Sequence, residues 1–347
     1  MLTETELKEI RSSIKKAKNI VVIFDGDADG LCSYLTLKKV MKCSYGIAAK
    51  SSPILKEEIY INKIKEINPD LVVILDKPIV AQEFIDKINA RVIWIDHHLP
   101  LKRKNVQYYN PRIRDISDNT SVSYLCYKTA KKGLWVAAIG VIGDFQYSNI
   151  FKSVEKKYGL VGNTKDPGKI LFKTKLGMLA RIYSFMLKGR NKDVRKYISL
   201  LEKIEDPREI LEQSTENGKL IFERFKEIYK EYKLLLDDAL KHKTKEEVLS
   251  YVYLDKKMSF TGELSNELIY RFPSKMIIAG RIKNNRVRLS IRSNKHNLLG
   301  IVEEAVSGLD GYGGGHEHAC GAYIAESDLE LFINRIKMLI KNGDKIV

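Results

Sequence analysis

The sequence predicts an α/β protein whose N-terminal domain is built on a doubly wound, mostly parallel sheet. Three continuous apolar runs of strand length carry most of this prediction, at residues 20–24, 71–75 and 91–95. Such runs are typical of parallel strands that are buried on both faces. Helix-like segments separate them, and strands that alternate with helices imply right-handed crossovers. Each run also ends in acidic or imidazole side chains, at the sheet edge where open α/β folds bind their ligands.

The segments between these strands are assigned from apolar periodicity. A repeat at i, i+3 and i+4 predicts helices at residues 3–18, 31–42, 53–67, 79–88 and 120–131. Short runs rich in strand-forming residues predict further strands at 45–49 and 106–110. Residues 134–141 are apolar and include small residues, and both a strand and a helix fit them.

The C-terminal part of the chain predicts a second, smaller α+β domain. Residues 216–250 are charged and carry an unbroken helical stripe, which predicts a linker helix. Strand-like runs follow at 252–254, 276–282 and 287–291, and Asn284-Asn285 is a turn signal between the last two. We therefore expect one domain at 1–215, the linker helix at 216–250 and a second domain at 251–347, with a cleft between the domains.

Composition narrows the class of protein. The 347 residues are 44% hydrophobic and 30% charged, which is typical of a soluble globular protein, and no run of 18 apolar residues predicts a membrane span. The polar, acidic N-terminus does not resemble a secretory signal. Four scattered cysteines without a C-x-x-C pair argue against a zinc site or a disulfide framework. We expect a cytoplasmic protein with no membrane partner.

The chain is strongly basic, with a net charge of +16 and a pI near 9.4. This charge predicts a polyanionic partner, although a lysine-rich solvated surface would give the same value. Residues 151–196 concentrate lysine and arginine around Tyr158, Phe172, Tyr183 and Phe185. They fit a track for a nucleic-acid backbone with stacking platforms, and they equally fit ordinary helices with aromatic cores.

Acidic side chains follow the first strand at every second position, at Asp25, Asp27 and Asp29. Because like charges repel, a cation is expected among them, and oxygen ligands favour a divalent metal. A solvated acidic turn is the plainer alternative. The pattern D-x-D-x-D-G also opens an EF-hand loop, but the twelfth position is Thr36 instead of Glu, and a strand precedes the motif. An EF-hand is therefore excluded.

Further candidate ligands follow the other apolar runs, and the shared sheet edge lets them converge. A carboxylate–imidazole set suits Mn²⁺ or Mg²⁺ better than structural zinc. Two such ions roughly 3.5–4 Å apart can activate a hydroxide and clamp a phosphoryl group. The candidate metal ligands are Asp25, Asp27, Asp29, Asp76, His97 and Asp144.

The second domain contains a glycine-rich stretch, Gly313-Gly314-Gly315-His316. Such a stretch could form an anion nest of backbone N–H groups, and Arg292-Ser293, after the strand at 287–291, adds a guanidinium suited to phosphate. A flexible loop with an unrelated arginine is the alternative.

Five motifs in this order resemble those of the DHH–DHHA1 phosphoesterases, the group that includes the RecJ-like single-strand exonucleases and the nano-RNases. They are D-G-D-A-D-G at 25–30, Asp76, Asp96-His97-His98, Gly143-Asp144 and G-G-G-H-x-x-A-x-G-A at 313–322. Ile23 stands where the nano-RNase branch carries histidine, which favours an archaeal-type RecJ-like member. The chain has no room for the OB-fold domain of bacterial RecJ.

The resemblance implies roles for individual residues. Asp27, Asp29, Asp76, His97 and Asp144 would bind two Mn²⁺ or Mg²⁺ ions, with Asp25 as a further ligand or a support to the ligands. Asp96 would orient His97. His98 would contact the scissile phosphate or protonate the leaving oxygen. The groups implied to hold the substrate's phosphates are Arg292, Ser293, Gly313, Gly314, Gly315 and His316.

The function implied first is a metal-dependent exonuclease that releases mononucleotides from single-stranded DNA or RNA. A phosphodiesterase for short oligonucleotides, cyclic dinucleotides or pAp is the main alternative, and a non-catalytic replication or RNA-processing scaffold is another. Replication or repair proteins are further implied partners. Strand polarity, the preference for DNA or RNA, and the choice between monomer and homodimer stay open.

Overall fold

A parallel sheet forms the centre of the N-terminal half of the computed structural model, which describes residues 1–49, 54–242, 244–254 and 258–343. The strands of this half are β1 (Ile20–Asp25), β2 (Ser44–Ala49), β3 (Ile54–Leu55), β4 (Leu71–Leu75), β5 (Ile79–Val80), β6 (Arg91–Ile95) and β7 (Gln107–Tyr109). The sheet has the order β2-β1-β4-β6-β7 with every pair parallel, and β3 pairs separately with β5. The predicted α/β class and its parallel sheet are confirmed.

Helices cover both faces of this sheet and extend beyond it. They are α1 (Glu4–Lys16), α2 (Ala28–Lys38), α3 (Glu58–Ile67), α4 (Gln82–Asp86), α5 (Val122–Ala130), α6 (Leu134–Gly143), α7 (Ile150–Tyr158), α8 (Pro167–Lys173), α9 (Lys175–Met186), α10 (Asn191–Leu201) and α11 (Arg208–Leu211), with a 3₁₀ turn at Pro111–Ile113. Val21, Ile23 and Trp94 share a buried cluster with Ile61 of α3 and Phe84 of α4. On the other face Phe24 stacks on Tyr34 of α2 at 5.0 Å.

The chain divides into two compact units, Met1–Phe225 and Lys226–Val347, and the long helix α12 (Glu216–Ala239) crosses the boundary. The second unit contains β8 (Val248–Leu254), α13 (Thr261–Arg271), β9 (Met276–Lys283), β10 (Arg286–Arg292), α14 (Leu298–Val306), β11 (Gly311–His316), β12 (Ala319–Ala325), a 3₁₀ turn at Glu326–Asp328 and α15 (Leu329–Gly343). No helix in the described part of the chain is long and apolar enough to cross a membrane.

The sheet of the second unit is mixed. Its order is β11-β12-β10-β9-β8, with β8 parallel to β9 and the other pairs antiparallel. Asn284 and Asn285 both have positive φ, 49° and 57°, as the predicted two-residue hairpin turn requires. Residues of α14 and α15, such as Val302 and Phe332, pack on Leu289 and Ile291 of the sheet. This arrangement confirms a separate, smaller α+β unit.

Some predicted elements were wrong in type or length, and one segment that fitted both a strand and a helix is a helix. Residues 54–55 and 79–80, predicted inside helices, pair with each other as β3 and β5, while residue 53 lies outside the described residues. Residues 134–143 form a helix, apolar all round because it is buried among α2, α5 and α9. The linker helix ends at Ala239, because residues 248–254 join the second sheet as β8.

Two interpretations do not agree with the structure: aromatic stacking platforms in the basic segment at 151–196, and a loop at the glycine-rich stretch. Tyr183 and Phe185 are fully buried, so these two rings belong to the aromatic core and are not stacking platforms. The glycine-rich stretch is the edge strand β11 instead of a loop, and its residues pair with β12. An anion nest in a loop is therefore not formed there.

Gly140 lies in α6 where the helix passes Ser123 and Asp29. A Cβ atom at this position would lie 2.3 Å from Ser123 Oγ and 2.7 Å from Asp29 Oδ1. Both neighbours are buried, so they have little room to move away. Only glycine allows α6 to approach the first turns of α2 and α5 so closely.

We predict that Gly140→Ala lowers the free energy of unfolding by about 2 kcal/mol, because the added methyl group overpacks the core. Gly300→Ala in α14 is the matched control, since nothing lies within 4 Å of its Cβ position. That control should raise stability by about 0.5 kcal/mol, as replacement of an unhindered helical glycine does. Chemical denaturation of both variants checks the prediction, and equal stabilities would contradict it.

Candidate metal centre and phosphate-binding face

The ends of three adjacent strands bring acidic residues to one edge of the first sheet. Phe24 of β1, Leu75 of β4 and Ile95 of β6 are level in the sheet register. The residues that follow these three along the chain are Asp25, Asp76 and Asp96, respectively. The edge is held further by backbone hydrogen bonds from Asp76 N to Ile95 O, 2.9 Å, and from Asp96 N to Tyr109 O, 3.1 Å.

His97 lies at the centre of the acidic groups. Its Nε2 is 3.4 Å from Asp76 Oδ1 and 3.6 Å from Asp144 Oδ2. Two sets of potential ligand atoms, Asp76–His97–His98 and Asp29–His97–Asp144, each lie within 4.8 Å of one another. Asp29, Asp76, His97 and Asp144, all predicted ligands, are thus brought together.

The orientation of His97 is set by a backbone carbonyl. Its Nδ1 lies 3.0 Å from Asn119 O. Because a carbonyl oxygen can only accept, the neutral ring carries its proton on Nδ1, which leaves the Nε2 lone pair for a metal when the ring is deprotonated.

The resemblance implied that Asp96 orients His97, and this expectation was wrong. Asp96 Oδ1 lies 2.7 Å from His98 Nδ1, and its Oδ2 accepts from His98 N at 3.0 Å. Asp96 therefore orients His98 and not His97. The reason is local. Just after β6, Asp96 forms an Asx turn, in which its carboxylate accepts a hydrogen bond from the backbone N–H two residues later, that of His98.

Asp29 is fully buried at the N-terminus of α5. Its Oδ2 accepts from Val122 N at 2.7 Å and its Oδ1 from Ser123 N at 3.1 Å. The first turn of a helix presents such N–H groups and favours negative charge. These bonds hold the carboxylate rigidly, and each oxygen retains a second lone pair for a cation.

Asp25 and Asp27 are placed differently from the other carboxylates. Asp27 caps α2, with Oδ1 accepting from Gly30 N at 2.9 Å. Asp25 Oδ1 lies 2.8 Å from Nζ of Lys77. Among the described residues, neither belongs to the two sets of ligand atoms around His97.

The carboxylates nearest His97 fit a cation. Among the residues that the structure describes, Asp76 Oδ1 and Asp144 Oδ2 are buried oxygens without a hydrogen-bond partner. These are the same two oxygens that face His97 Nε2. Buried polar atoms are normally satisfied, so two orphaned oxygens beside an imidazole indicate a place for a hard or borderline metal ion.

Titration at the centre follows from burial and crowding. Burial raises the pKa of Asp76 and Asp144 well above 3.8, and neighbouring carboxylates raise it further. Burial also raises the pKa of Asp29. For His97, burial lowers the pKa, but the charges of Asp144 and Asp29 outweigh it, so the pKa is raised above 6.5. Protons and metal ions therefore compete for the same groups.

In the second unit, Arg292 and His316 lie in one cross-strand row. Both are level with Ala319 of β12, on the strands to either side of it. The Arg292 guanidinium is half-buried and is held by Asn266, whose Oδ1 accepts from Nε at 2.8 Å. Burial lowers the pKa of Arg292 to about 10, which leaves the group cationic at neutral pH. The row forms the candidate phosphate-binding face.

Two other residues predicted to contact the substrate, Ser293 and Gly313, are engaged in hydrogen bonds or packing within the second unit. Ser293 is buried, and its Oγ accepts from Lys295 N and His296 N at 3.2 and 3.0 Å. Gly313 packs against α14, since a Cβ there would lie 2.7 Å from Val302 Cγ1. Gly314, in contrast, has open space at its Cβ position. Alternation along β11 places Gly314 on the face of His316 and Gly313 on the core face.

Three residues near these sites were not found from the sequence. Asn119 and Lys77 act on His97 and Asp25, and only the position of Lys77 beside Asp76 offered a signal. The third is Tyr312, which is 53% exposed on β11. Its ring lies 5.7 Å from that of Tyr323, over which Arg286 and Arg288 lie at 4.8 and 6.0 Å.

Comparison with known proteins agrees with this division of the chain. Residues 19–154 match the model of the DHH family N-terminal domain, and residues 247–342 match that of the DHHA1 domain. A curated relative is the uncharacterized protein MJ0831 of Methanocaldococcus jannaschii, 23% identical, with 96% of this chain and 98% of the relative covered.

Solved structures share the fold at low sequence identity. RecJ from Thermus thermophilus in complex with Mn²⁺ has a TM-score of 0.66 and 16% identity, with 97% of this chain covered. The chain spans about half the length of that RecJ, 54%. A DHH domain described as a member of the s1p family of ribosomal proteins gives 0.68 and 17%, with 97% and 89% covered. PggH of Vibrio, a pGpG-specific phosphodiesterase, gives 0.50 and 14%, with 94% and 99% covered.

We predict that the metal-free protein loses thermal stability as the pH rises from 5 to 8. Asp29, Asp76, Asp144 and His97 have raised pKa values in the folded state, so folding favours their protonated forms. That contribution is present at acidic pH and is lost as the groups deprotonate. Mn²⁺ should raise the melting temperature more at pH 8 than at pH 5, where protons compete with it.

The measurement is thermal unfolding in chelator and in Mn²⁺ across this range, with Asp144→Asn as the comparison. At pH 8 in chelator this variant should melt at a higher temperature than the wild type, because a buried like charge is gone, and it should respond less to Mn²⁺. A wild-type response to Mn²⁺ that does not change with pH would contradict the prediction.

Proposed function

We propose that this chain, which belongs to the DHH family and carries a DHHA1 domain after its DHH domain, is a metal-dependent phosphodiester hydrolase of single-stranded nucleic acid. It would act as a RecJ-like exonuclease that releases nucleoside monophosphates from DNA or RNA. The observation that carries the proposal is the convergence of Asp29, Asp76 and Asp144 on His97, with two buried carboxylate oxygens that lack a hydrogen-bond partner among the described residues.

The residues that would hold two divalent cations, Mn²⁺ or Mg²⁺, are Asp27, Asp29, Asp76, His97 and Asp144. When bound, such ions act as Lewis acids on the phosphoryl group and lower the pKa of water. The Asp29 carboxylate, fixed by α5, and His97, fixed by Asn119, supply rigid ligands. Rigid ligands matter because a displacement of the reacting groups by about 1 Å is costly to the rate.

Asp96 and His98 form the candidate acid. Asp96 is buried and holds His98 through Nδ1, so Nε2 is the nitrogen that would meet the substrate. As water adds to phosphorus and gives up a proton to the solvent, the ester P–O bond would break and the leaving oxygen would take a proton from His98 Nε2. Asn110, whose Nδ2 donates to His98 O at 2.9 Å, supports this geometry.

A single nucleic-acid strand fits the charge and the aromatic groups of the second unit. Tyr312, Tyr323 and Arg288 form one cross-strand row on the same sheet face as His316 and Arg292. Exposed aromatic rings beside guanidinium groups are the usual platform for stacked bases and their phosphates. The net charge of +16 favours a polyanion in general.

A phosphodiesterase for short oligonucleotides, cyclic dinucleotides or pAp is the second candidate. The observation that favours it is the similarity in fold to PggH, over 99% of the length of that protein. Ile23, near the end of β1, argues against this candidate, because the nano-RNase motif carries a histidine at that position. Replication or repair proteins are proposed partners of the exonuclease, and a scaffold without activity would not need the orphaned ligand oxygens.

We predict that His97→Ala lowers hydrolysis in Mn²⁺ by at least about a hundredfold, because it removes the group shared by both ligand sets. The assay follows single-stranded DNA and RNA labelled separately at each end, with a dinucleotide in parallel. His242→Ala, an exposed histidine at the end of α12, is the control and should retain activity. Unchanged turnover by His97→Ala would contradict the proposed centre, and a strong preference for the dinucleotide would favour the second candidate.

We also predict that Tyr312→Ala weakens binding of a single strand of ten nucleotides or so by about tenfold, through loss of one stacking platform. A dinucleotide should be unaffected, because Tyr312 lies about 13 Å along the strand from His316. Tyr312→Phe keeps the ring and should bind normally. Tyr45→Ala, which removes a 49% exposed tyrosine from β2, is the matched control. Equal losses from Tyr312→Ala and Tyr45→Ala, measured by fluorescence anisotropy, would contradict the assignment.

A further inference from the structure

A buried lysine lies within the acidic centre. Lys77 follows Asp76 directly, and its residue is only 1% exposed. Its Nζ lies 2.8 Å from Asp25 Oδ1, whose side chain is 28% exposed. Lysine is almost never fully buried unless it is paired, because removal of its charge from water is costly. Asp25 therefore provides the partner that allows Lys77 to be buried.

The backbone around Lys77 directs the side chain to the end of β1. Asp76 has a φ of +59°, in the left-handed region that a non-glycine residue seldom adopts. Its N–H is bonded to Ile95 O, and the Lys77 carbonyl accepts from Trp94 Nε1 at 3.1 Å. Trp94 is itself buried and stacked on Tyr108 at 4.0 Å. Residues of β6 thus hold the backbone at Asp76 N and at Lys77 O, on either side of the Asp76–Lys77 peptide bond.

This backbone conformation directs the side chains of Asp76 and Lys77 to different groups. Asp76 points to His97 in the metal centre, while Lys77 reaches Asp25. A strained backbone that persists in a packed structure often marks a functional position. The strain here places a fixed positive charge next to a group of carboxylates that also act on one another.

The charge of Lys77 bears directly on cation binding. Asp25 leaves β1 beside Asp76 of β4, and its charge acts on Asp27 and Asp76, two of the groups that would hold the ions. The Lys77 ammonium beside Asp25 repels a divalent ion and cancels one carboxylate charge. A carboxylate that is engaged by Lys77 also offers its remaining lone pairs to a metal less readily.

We propose that Lys77 is a positioning residue that keeps Asp25 out of the metal-ligand set and lowers the affinity of the centre for divalent cations. Its biological meaning rests on the proposed metal-dependent function. Asp27, Asp29, Asp76, His97 and Asp144 would then hold the ions, and Asp25 would not compete with the oxygens of a substrate phosphate. Asp25 acts through Lys77 as a support to the centre.

The test measures Mn²⁺ binding to the metal-free full-length protein by electron paramagnetic resonance of free Mn²⁺ and by calorimetry. Lys77→Met keeps the aliphatic volume and removes the charge, so it should bind Mn²⁺ about tenfold more tightly. Lys77→Gln, a second variant in case Met disturbs the fold, should shift the affinity in the same direction. Lys63→Met removes an exposed lysine paired with Glu66 and should leave the affinity unchanged.

The direction of the change separates this role from a merely structural one. If Lys77 only supported the fold, its replacement would loosen the ligands and weaken Mn²⁺ binding. Asp25→Asn should lower the melting temperature, because it leaves the buried ammonium without its carboxylate, and Lys77→Met in the same chain should restore it. A crystal of the wild type grown with Mn²⁺ should keep Lys77 Nζ on Asp25.

The failure of this inference differs from the failure of the proposed function. Equal or weaker Mn²⁺ binding by both Lys77 variants, or a manganese–Asp25 bond in the wild-type crystal, overturns the role of Lys77 alone. Absence of Mn²⁺ binding in the wild type and in all variants overturns the metal-dependent function and this inference with it.

Discussion

The parallel sheet gathers carboxylates at one edge, and their mutual repulsion is the constraint that the rest of the first unit must satisfy. The register of β1, β4 and β6 fixes where Asp25, Asp76 and Asp96 leave the sheet, so their backbones cannot move apart without breaking the strand pairing. Burial makes each charge more costly, which is why the pKa values of Asp76 and Asp144 are raised. A centre of this kind is complete only with positive charge, and the chain supplies part of it through His97 and Lys77.

The packing around the centre can be understood as the means of holding these charges in place. The N-terminus of α5 fixes Asp29, a carbonyl at Asn119 fixes the tautomer of His97, and Gly140 lets α6 pass close to Asp29. Each device is a backbone feature, and backbone groups change little when ligands bind. The side chains that perform chemistry are therefore held by parts of the fold that are themselves well fixed.

The sequence allowed the strands and their acidic ends to be predicted because both signals are local. A continuous apolar run marks a buried strand, and parallel topology makes the ends of such strands neighbours. What could not be predicted depends on tertiary direction. Nothing in the sequence says that Asp96 bonds to His98, that the Asn119 carbonyl contacts His97, or that Asp76 takes a left-handed backbone conformation beside the buried Lys77. The helix at 134–143 was ambiguous for a related reason, since an apolar run that is buried on all sides has no periodicity to separate helix from strand.

The distribution of charge links the metal to the substrate. The chain has 60 basic and 44 acidic residues, so its surface attracts polyanions, yet the centre that would act on a phosphate is itself acidic. A phosphodiester brought near that centre is repelled until divalent cations reverse the local charge. At the proposed centre, metal binding would therefore favour substrate binding, and by linkage the substrate would favour metal binding to the same degree. In the role proposed for it, Lys77 would weaken the hold of the centre on these ions, so that more of their charge would be available to a substrate phosphate and the substrate would help to complete the site.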